Sequence, residues 1–262
     1  RGIDDWSILP NPNDYPLLQT ELPDGSVNES GSTGEEIDFT DNEFLLHGFE
    51  TSSPTVTMTD DFSTDNYTHL NSNTSVSGGK LLYAQAAADN RAYRSITEVQ
   101  STFIIEWETV LGTANSGHRY HNLVLSEENT NVKTTSSNDG YTIVIDGKSG
   151  SVSSVHIQEI YSGTVNQAGA VIEGLSQSAT HYFRFSRSGN VLTVESFSDS
   201  ARTVSEGSGS LTLASTSSGF VFLQHGTENP STTVSGVTID NLKIYNGVSD
   251  LTWAKNTMTT WI

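Results

Sequence analysis

Short runs of alternating apolar and polar residues, separated by turn-forming residues, dominate the sequence from residue 58 onwards. Residues 181–186 and 191–197 are two such runs, and a Ser-Gly-Asn turn at residues 188–190 lies between them. Alternation with a period of two places successive side chains on opposite faces of a β-strand, and a glycine-containing turn joins two strands into a hairpin. About ten such runs, without a convincing helical stretch, predict an all-β fold of two antiparallel sheets packed face to face.

The acidic residues are unevenly distributed, and their distribution helps to divide the chain into segments. Residues 1–61 contain 14 of the 31 acidic residues and one of the 12 basic residues, a net charge of −13. The remaining 17 acidic and 11 basic residues give residues 62–262 a net charge of −6. Prolines and turn dipeptides without a sustained period favour an extended acidic arm at residues 1–57. We predict that a β-sandwich follows at residues 58–247 and a C-terminal tail at residues 248–262.

The composition argues against several classes of protein. A net charge of −19 argues against nucleic acid or an anionic membrane as a partner. No apolar stretch approaches the roughly 18 residues that a membrane-spanning helix requires, so we predict no membrane span. The chain contains no cysteine, which excludes disulfides, thiolate metal sites and a cysteine nucleophile. The absence of disulfides favours a prokaryotic or viral surface protein, and a first residue other than methionine fits a processed form or a fragment.

Three segments carry a resemblance to a known superfamily. They are DDFSTDN at residues 60–66, YFRFSRSGNVLTV at residues 182–194 and VTIDNLKIYNG at residues 237–247. In their order and spacing they resemble the entry, the central hairpin and the last strand of concanavalin A-like and laminin G-like modules of the prokaryotic or viral surface type. The resemblance implies a jelly-roll β-sandwich. This fold serves lectins, adhesion modules, glycosidases and virion proteins, so the resemblance does not specify a function.

Two groups of carboxylates have the spacing of catalytic groups on one strand face. Glu36, Asp38 and Asp41 lie in the acidic arm, where they resemble the active-site strand of laminarinase-type β-glucanases except that the last position is aspartate. Glu106 and Glu108 lie two residues apart on a predicted strand. A retaining glycosidase needs two carboxyl groups about 5 Å apart, but the first group lies upstream of the sandwich and the second fits a solvated sheet face. We therefore predict no catalytic residue, with a glycosidase or lyase as the alternative.

Aromatic and basic residues in predicted loops are the candidates for ligand binding. His118, Arg119 and Tyr120 follow Gly117, and Tyr161 follows a predicted strand. The faces of aromatic rings stack on sugar rings, so we predict that these residues contribute to a glycan-binding site. The first three also form the one local cluster that offers the tyrosine, the histidine and the basic neighbour of a polysaccharide lyase.

The resemblance also implies a metal site. In many jelly-roll carbohydrate-binding modules the first and last strands are neighbours and share a structural Ca²⁺. By this resemblance, Asp60 or Asp61 and Asp240 supply carboxylate ligands to a cation that prefers oxygen. The alternative is that these aspartates cap turns at strand ends. A structural Ca²⁺ is the one cofactor that we expect.

Apolar residues outside the predicted sandwich are the candidates for subunit contacts. Tryptophans in the tail are costly to leave in water, and they dock on their own sandwich or on a neighbouring subunit. The predicted anchors are Phe44, Leu45, Leu46, Trp253, Trp261 and Ile262. We therefore interpret the chain as a non-enzymatic structural or adhesion subunit of an extracellular, cell-surface or virion assembly, in contact with copies of itself or with other subunits. The alternatives are a glycan-binding module and a polysaccharide-degrading enzyme.

Overall fold

A computed structural model describes residues 55–70, 73–83, 90–130, 138–162, 164–215, 219–227, 234–249 and 251. Within these residues the chain forms strands and no helix, and so contains no helix that could cross a membrane. The strands are β1 (Met58–Asp60), β2 (Thr68–Leu70), β3 (Thr74–Ser77), β4 (Lys80–Tyr83), β5 (Arg91–Val99), β6 (Phe103–Val110), β7 (Thr113–Ala114), β8 (Arg119–Ser126), β9 (Gly140–Lys148), β10 (Val152–Tyr161), β11 (Thr164–Ser176), β12 (Thr180–Ser188), β13 (Val191–Phe197), β14 (Ser205–Thr212), β15 (Phe220–Thr227), β16 (Val234–Ser235) and β17 (Val237–Asn246). The predicted anchors and the carboxylates of the acidic arm lie outside the described residues; they are Glu36, Asp38, Asp41, Phe44, Leu45, Leu46, Trp253, Trp261 and Ile262.

The strands form two large antiparallel sheets that pack as a sandwich. The eight-stranded sheet has the order β14–β13–β12–β6–β17–β4–β3, with β1 also paired to β17. The seven-stranded sheet has the order β11–β10–β9–β8–β15–β5–β2, and β7 pairs with β16 in a separate ribbon. Neighbours that are distant in sequence, such as β6 and β17, are typical of jelly rolls. The predicted all-β jelly-roll sandwich is confirmed.

The two sheets share one core, which the alternation along each strand defines. On β12, the buried residues His181, Phe183 and Phe185 alternate with partly exposed residues. The ring of Trp107 on β6 stacks on Phe183, with centroids 5.3 Å apart. Its Nε1 donates a hydrogen bond of 2.7 Å to Oδ1 of Asn122, which belongs to β8 in the opposite sheet. This buried bond satisfies the indole N–H and joins the two sheets.

The turn between β9 and β10 lies later than the dipeptide Asp146-Gly147, which is a typical hairpin signal in the sequence. The strand β9 continues to Lys148, and the turn contains Gly150 with φ of 82°. At Gly147 a Cβ atom would lie 2.6 Å from the carbonyl oxygen of Asn115. The glycine therefore lies within the strand and permits a close approach of the chain segment after β7.

Glycines in β14 allow β11 of the opposite sheet to pack across one edge of the sandwich. A Cβ atom on Gly209 would lie 2.2 Å from Cβ of Val171, and one on Gly207 would lie 2.9 Å from Cγ2 of Ile172. Ile172 belongs to the hydrophobic core, and Val171 packs against it. The two glycines therefore let β11 lie close to the backbone of β14 at this edge of the sandwich. A larger residue at either position would prevent this contact.

The substitution Gly209→Ala should destabilise the sandwich, because the new methyl group has no space beside Val171. We expect a loss of about 2 kcal/mol in the free energy of unfolding, as is usual for overpacked cores. Gly169→Ala is the matched control on β11, since no heavy atom lies within 4 Å of the added methyl group. Urea unfolding of both variants measures the difference. Equal stability of the two variants would contradict this account of the sandwich edge.

His225 on β15 is a titratable group enclosed in the core. Its side chain is fully buried, and its Nδ1 donates a hydrogen bond of 2.6 Å to the carbonyl oxygen of Asn122. Burial lowers the pKa of His225 from 6.5 to about 4, although this hydrogen bond and the carboxylate of Asp60 favour the charged form. The imidazole is therefore neutral in the folded protein at pH 7.

The free energy of unfolding should fall as the pH decreases from 6.5 to 4, because the unfolded chain protonates His225 before the folded chain does. The contribution of His225 is complete above pH 6.5 and, from the two pKa values, amounts to about 3 kcal/mol. Urea unfolding of the wild type and His225→Gln across this range measures it. The variant should lose this part of the pH dependence, and parallel curves would show that His225 is not its source.

Candidate functional site

The seven-stranded sheet carries polar side chains on the side that points away from the core. On β10, Ser154, His156 and Gln158 alternate with the core residues Val155 and Ile157. The register places Asp146 of β9 beside Ser154 and Gln167 of β11 beside Gln158. We refer to this group as the polar face; its members are Asp146, Ser154, His156, Gln158 and Gln167.

His156 lies at the centre of the polar face. Its Nδ1 accepts a hydrogen bond of 3.4 Å from Nε2 of Gln167, so the ring proton is on Nε2. That nitrogen is 3.3 Å from Oγ of Ser154 and 3.7 Å from Oδ2 of Asp146. The Oε1 atom of Gln167 accepts a hydrogen bond from Nε2 of Gln158. The polar face is therefore one connected group that spans three strands.

Two acceptor oxygens of the polar face have no hydrogen-bond partner in the described part of the chain. They are Oδ1 of Asp146 and Oε1 of Gln158, and both are buried. The other carboxylate oxygen of Asp146 accepts a hydrogen bond of 2.7 Å from Lys148 and lies 3.4 Å from Nε of Arg119. An unpaired buried acceptor costs on the order of 1–3 kcal/mol. Such atoms mark positions at which a water molecule or a ligand donates a hydrogen bond.

The polar face is accessible at its margins. Beside Asp146, the side chains of Lys148 and Arg119 are 43% and 36% exposed. Gln167 is exposed on β11, which is an edge strand of the sheet. His156 and Gln158 are buried between these margins. A ligand that contacts the margins therefore lies next to a deeper set of hydrogen-bonding groups.

Tyr120 lies on β8 and points into the core, so the prediction that it binds a glycan from a loop is wrong. Its side chain has no exposed surface and makes an edge contact with Tyr83, with centroids 5.8 Å apart. Burial raises the pKa of the phenol. The alternation along β8 that directs Tyr120 inward directs Arg119 outward, towards Asp146.

The structure does not bring Tyr161 together with the other predicted ligand-binding residues. Tyr161 is partly buried at the end of β10, next to the position that pairs with Gly140. In the register of β8 and β9, Arg119 lies opposite Asp146, at the other end of β9. Asp146 is six residues, or about 20 Å of strand, from Gly140. His118 is partly buried just before β8. Of these predicted residues, Arg119 lies against the polar face, beside Asp146.

Asp60, Asp61 and Asp240 make separate interactions, although β1 and β17 pair as the resemblance implies. The carboxylate of Asp60 is buried and forms an ion pair with Arg94. Asp61 is exposed and accepts a hydrogen bond of 3.0 Å from the backbone two residues further on, as a turn-capping aspartate does. Asp240 lies 3.6 Å from Nζ of Lys80. The described residues contain no cluster of three acidic, histidine or cysteine side chains that suits a metal, and the Ca²⁺ site stays a prediction.

Glu106 and Glu108 lie on the outer face of the eight-stranded sheet in different environments. The side chain of Glu106 is 9% exposed, and its Oε1 accepts hydrogen bonds of 3.0 and 2.8 Å from Arg184. Arg202 lies 3.5 Å from the same oxygen. Burial lowers the pKa of Arg202, and the nearby Arg184 adds to this effect while Glu106 opposes it. The predicted solvated face is therefore wrong for Glu106, because two arginines cover it.

Four residues of the polar face were not predicted from the sequence: Asp146, His156, Gln158 and Gln167. The signal that identifies two of them is the run Val-His-Ile-Gln at residues 155–158, in which apolar and hydrogen-bonding residues alternate. The other two lie on neighbouring strands, and the strand register is needed to place them on the same face.

Comparison with known proteins supports the fold. The sequence matches no protein-family model and no curated protein. Its structure is similar to the CBM2 module of the evolved Dit protein of Lactobacillus casei BL23 phage J-1, with a TM-score of 0.52, 10% identity and coverage of 74% of this chain and 96% of that module. It is also similar to xylan β-1,4-xylosidase from Bacillus halodurans C-125, with a TM-score of 0.52, 11% identity and coverage of 72% of this chain but 39% of the xylosidase. A protein of unknown function from Saccharomyces cerevisiae gives a TM-score of 0.50, 10% identity and coverage of 72% and 99%. At these identities the likeness is one of fold.

Glu106→Gln should destabilise the protein, because it removes the negative charge that Arg184 and Arg202 share at low exposure. Breaking a largely buried ion pair at one partner typically costs about 3 kcal/mol. The matched control is Glu108→Gln on the same strand. It removes a partly exposed carboxylate that has no ion pair with any described residue, and it should cost less than about 0.5 kcal/mol. Thermal or urea unfolding measures both. A smaller loss for Glu106→Gln than for Glu108→Gln would contradict the assignment.

Proposed function

We propose that the sandwich is a non-enzymatic glycan-binding domain of an extracellular, cell-surface or virion protein, and that the polar face holds the glycan. The observation that carries this proposal is the pair of buried acceptors, Oδ1 of Asp146 and Oε1 of Gln158, on a sheet face opposite the core. Both atoms need a donor, and neither has one among the described residues.

The chemistry around these acceptors fits sugar hydroxyl groups. Each hydroxyl both donates and accepts a hydrogen bond. At one end of the polar face, a hydroxyl that donates to Asp146 lies near the exposed donors of Lys148 and Arg119. At the other end, Gln158 and Gln167 supply an acceptor and amide donors. The two ends are separated by four residues of strand, or about 13 Å, so an extended chain of sugars suits this surface better than one ring.

The number and position of the acidic groups support binding without hydrolysis. Hydrolysis by the usual route requires two carboxyl groups on either side of the glycosidic bond, whereas Asp146 is the one carboxylate in the polar face. The lyase alternative required the phenol of Tyr120, and this phenol lies on the other side of the sheet, in the core. These two observations favour recognition of a glycan as the activity of the domain.

The phage module with a similar fold supports a role in a surface assembly, as a subunit in contact with its own copies or with other proteins. It is a CBM2 module of a Dit protein, and the present chain covers nearly all of it. In our proposal the sandwich presents the polar face to glycans, while the acidic arm and the tail make subunit contacts. The residues predicted for these contacts lie outside the described part, so this half of the proposal rests on the sequence.

A glycan array followed by titration of the best ligand tests the proposal. We expect the wild type to bind an extended, hydroxyl-rich glycan, and Asp146→Asn and Gln167→Ala each to weaken binding about tenfold. Asp146→Asn removes the negative charge and replaces one acceptor oxygen by an amide donor, and Gln167→Ala removes a side-chain amide. A hydrogen bond to a charged or buried group contributes about 1–3 kcal/mol. Isothermal titration calorimetry measures the change in Kd.

The matched control is Gln100→Ala, which changes an exposed glutamine in the turn between β5 and β6 and should leave the Kd unchanged. Lack of binding on a broad array, or a Kd that neither variant of the polar face alters, would refute the proposed site. Release of reducing or unsaturated sugars from any polysaccharide would refute the absence of enzymatic activity.

A further inference from the structure

A cavity of about 200 Å³ opens on the outer face of the eight-stranded sheet, on the opposite side of the sandwich from the polar face. Strands β6, β12 and β17 and the loop between β13 and β14 form its wall. The lining residues are Glu108, Tyr182, Ser200, Arg202, Asn241 and Lys243. At about 30 Å³ for each water molecule, the volume corresponds to six or seven waters, which is the size of a small polar metabolite.

Two of the lining residues have a left-handed backbone conformation that is unfavourable for residues other than glycine. Arg202 has φ of 55° and Asn241 has φ of 49°. The carboxylate of Asp199 fixes the loop around Arg202, since its Oδ1 accepts hydrogen bonds of 2.9 and 2.7 Å from the backbone of Thr203 and Val204. Asn241 lies where the register of β17 and β6 shifts. Bulges and strained residues of this kind cluster at binding sites, where they direct side chains that a regular strand would not.

Glu108 and Lys243 bring opposite charges to the cavity without forming an ion pair with each other or with another described residue. In the register of β6 and β17, Glu108 lies opposite Asp240 and Lys243 lies opposite Glu106. The two are therefore diagonal neighbours on adjacent strands, with Cα atoms about 7–8 Å apart. The amide of Asn241 donates a hydrogen bond of 3.2 Å to Oε2 of Glu108 and orients this carboxylate.

The charges around this pair are already matched by neighbours. Arg184 and Arg202 bind Glu106, and Arg184 also lies 3.6 Å from Glu195. Asp240 lies 3.6 Å from Lys80. Arg202 is also close enough to interact with the charge of Glu108. Glu108 and Lys243 still form no ion pair with a described residue, and a ligand with two opposite charges can bridge them.

We propose that this cavity binds a small zwitterion in which a short linker separates an ammonium group from a carboxylate or a phosphate. The ammonium group pairs with Glu108 and the anionic group pairs with Lys243. Ser200 and Tyr182 also line the cavity, so their hydroxyl groups can complete the hydrogen bonds of the anionic group. Charge-assisted contacts at both ends of one ligand favour the zwitterion over a molecule that carries either charge alone.

NMR titration of the ¹⁵N-labelled full chain with glycine, phosphoethanolamine, acetate and ethylamine tests this inference. We expect glycine or phosphoethanolamine to shift the amide signals of Glu108, Tyr182 and Lys243 at millimolar concentration. Acetate and ethylamine should bind at least about tenfold more weakly, because each satisfies one charge. A preference for glycine identifies a carboxylate ligand, and a preference for phosphoethanolamine identifies a phosphate ligand.

Glu108→Gln and Lys243→Met should each weaken binding of the preferred zwitterion at least about tenfold. Glu98→Gln is the matched control, because Glu98 is exposed on β5 of the opposite sheet; it should leave the affinity unchanged. Thermal unfolding of each variant confirms that the fold is retained. The inference is overturned if neither zwitterion shifts these signals, if the single-charge compounds bind equally well, or if both cavity variants bind like the wild type.

Discussion

The burial of one face of each sheet in a single apolar core is the constraint on which the rest of the structure depends. Each fully buried phenylalanine, leucine or isoleucine contributes about 1.5–3 kcal/mol, and a slip of one residue in a strand would expose its whole apolar set. The core therefore fixes the register of every long strand. Because Val155 and Ile157 must face inward, His156 and Gln158 must face outward. The packing that stabilises the sandwich thus also assembles the polar face.

The alternation of residues was sufficient to predict the sheet faces, but not what covers them. The inward side of β12 and the hairpin between β12 and β13 follow directly from the sequence pattern. Glu106 was assigned correctly to an outward face, yet it is buried because Arg202 reaches it from a loop almost a hundred residues further along the chain. Polar residues surround Tyr120, so the sequence pattern predicts a loop there, whereas in the structure β8 begins at Arg119. Both errors concern contacts between elements that are distant in sequence, which no local pattern contains.

In the part of the chain that the structure describes, unpaired buried polar atoms occur in the interior and on the polar face, and their chemistry separates a structural role from a binding role. In the interior they include the hydroxyl of Tyr67, Nε of Arg94 and Nε2 of His225. Tyr67 lies close to both partners, with its ring 5.6 Å from Cζ of Arg94 and 6.0 Å from the ring of His225. Arginine donates, the neutral imidazole nitrogen accepts and the phenol does either, so donors and acceptors are balanced among these three groups. On the polar face both unpaired atoms are acceptors, and this imbalance favours a ligand that supplies donors.

The distribution of charge is compatible with ligands on both outer faces of the sandwich. The first 61 residues carry most of the net charge, and the remaining 201 carry −6. Around the cavity of the eight-stranded sheet, Glu106, Glu108, Glu195 and Asp240 are balanced by Lys80, Arg184, Arg202 and Lys243. Long-range repulsion is screened within about 8 Å at physiological ionic strength, so local groups and not the net charge determine what binds at each face. Asp146 is already paired with Lys148 and Arg119, which suits a neutral glycan on one sheet. The opposite charges of Glu108 and Lys243 suit a zwitterion on the other sheet.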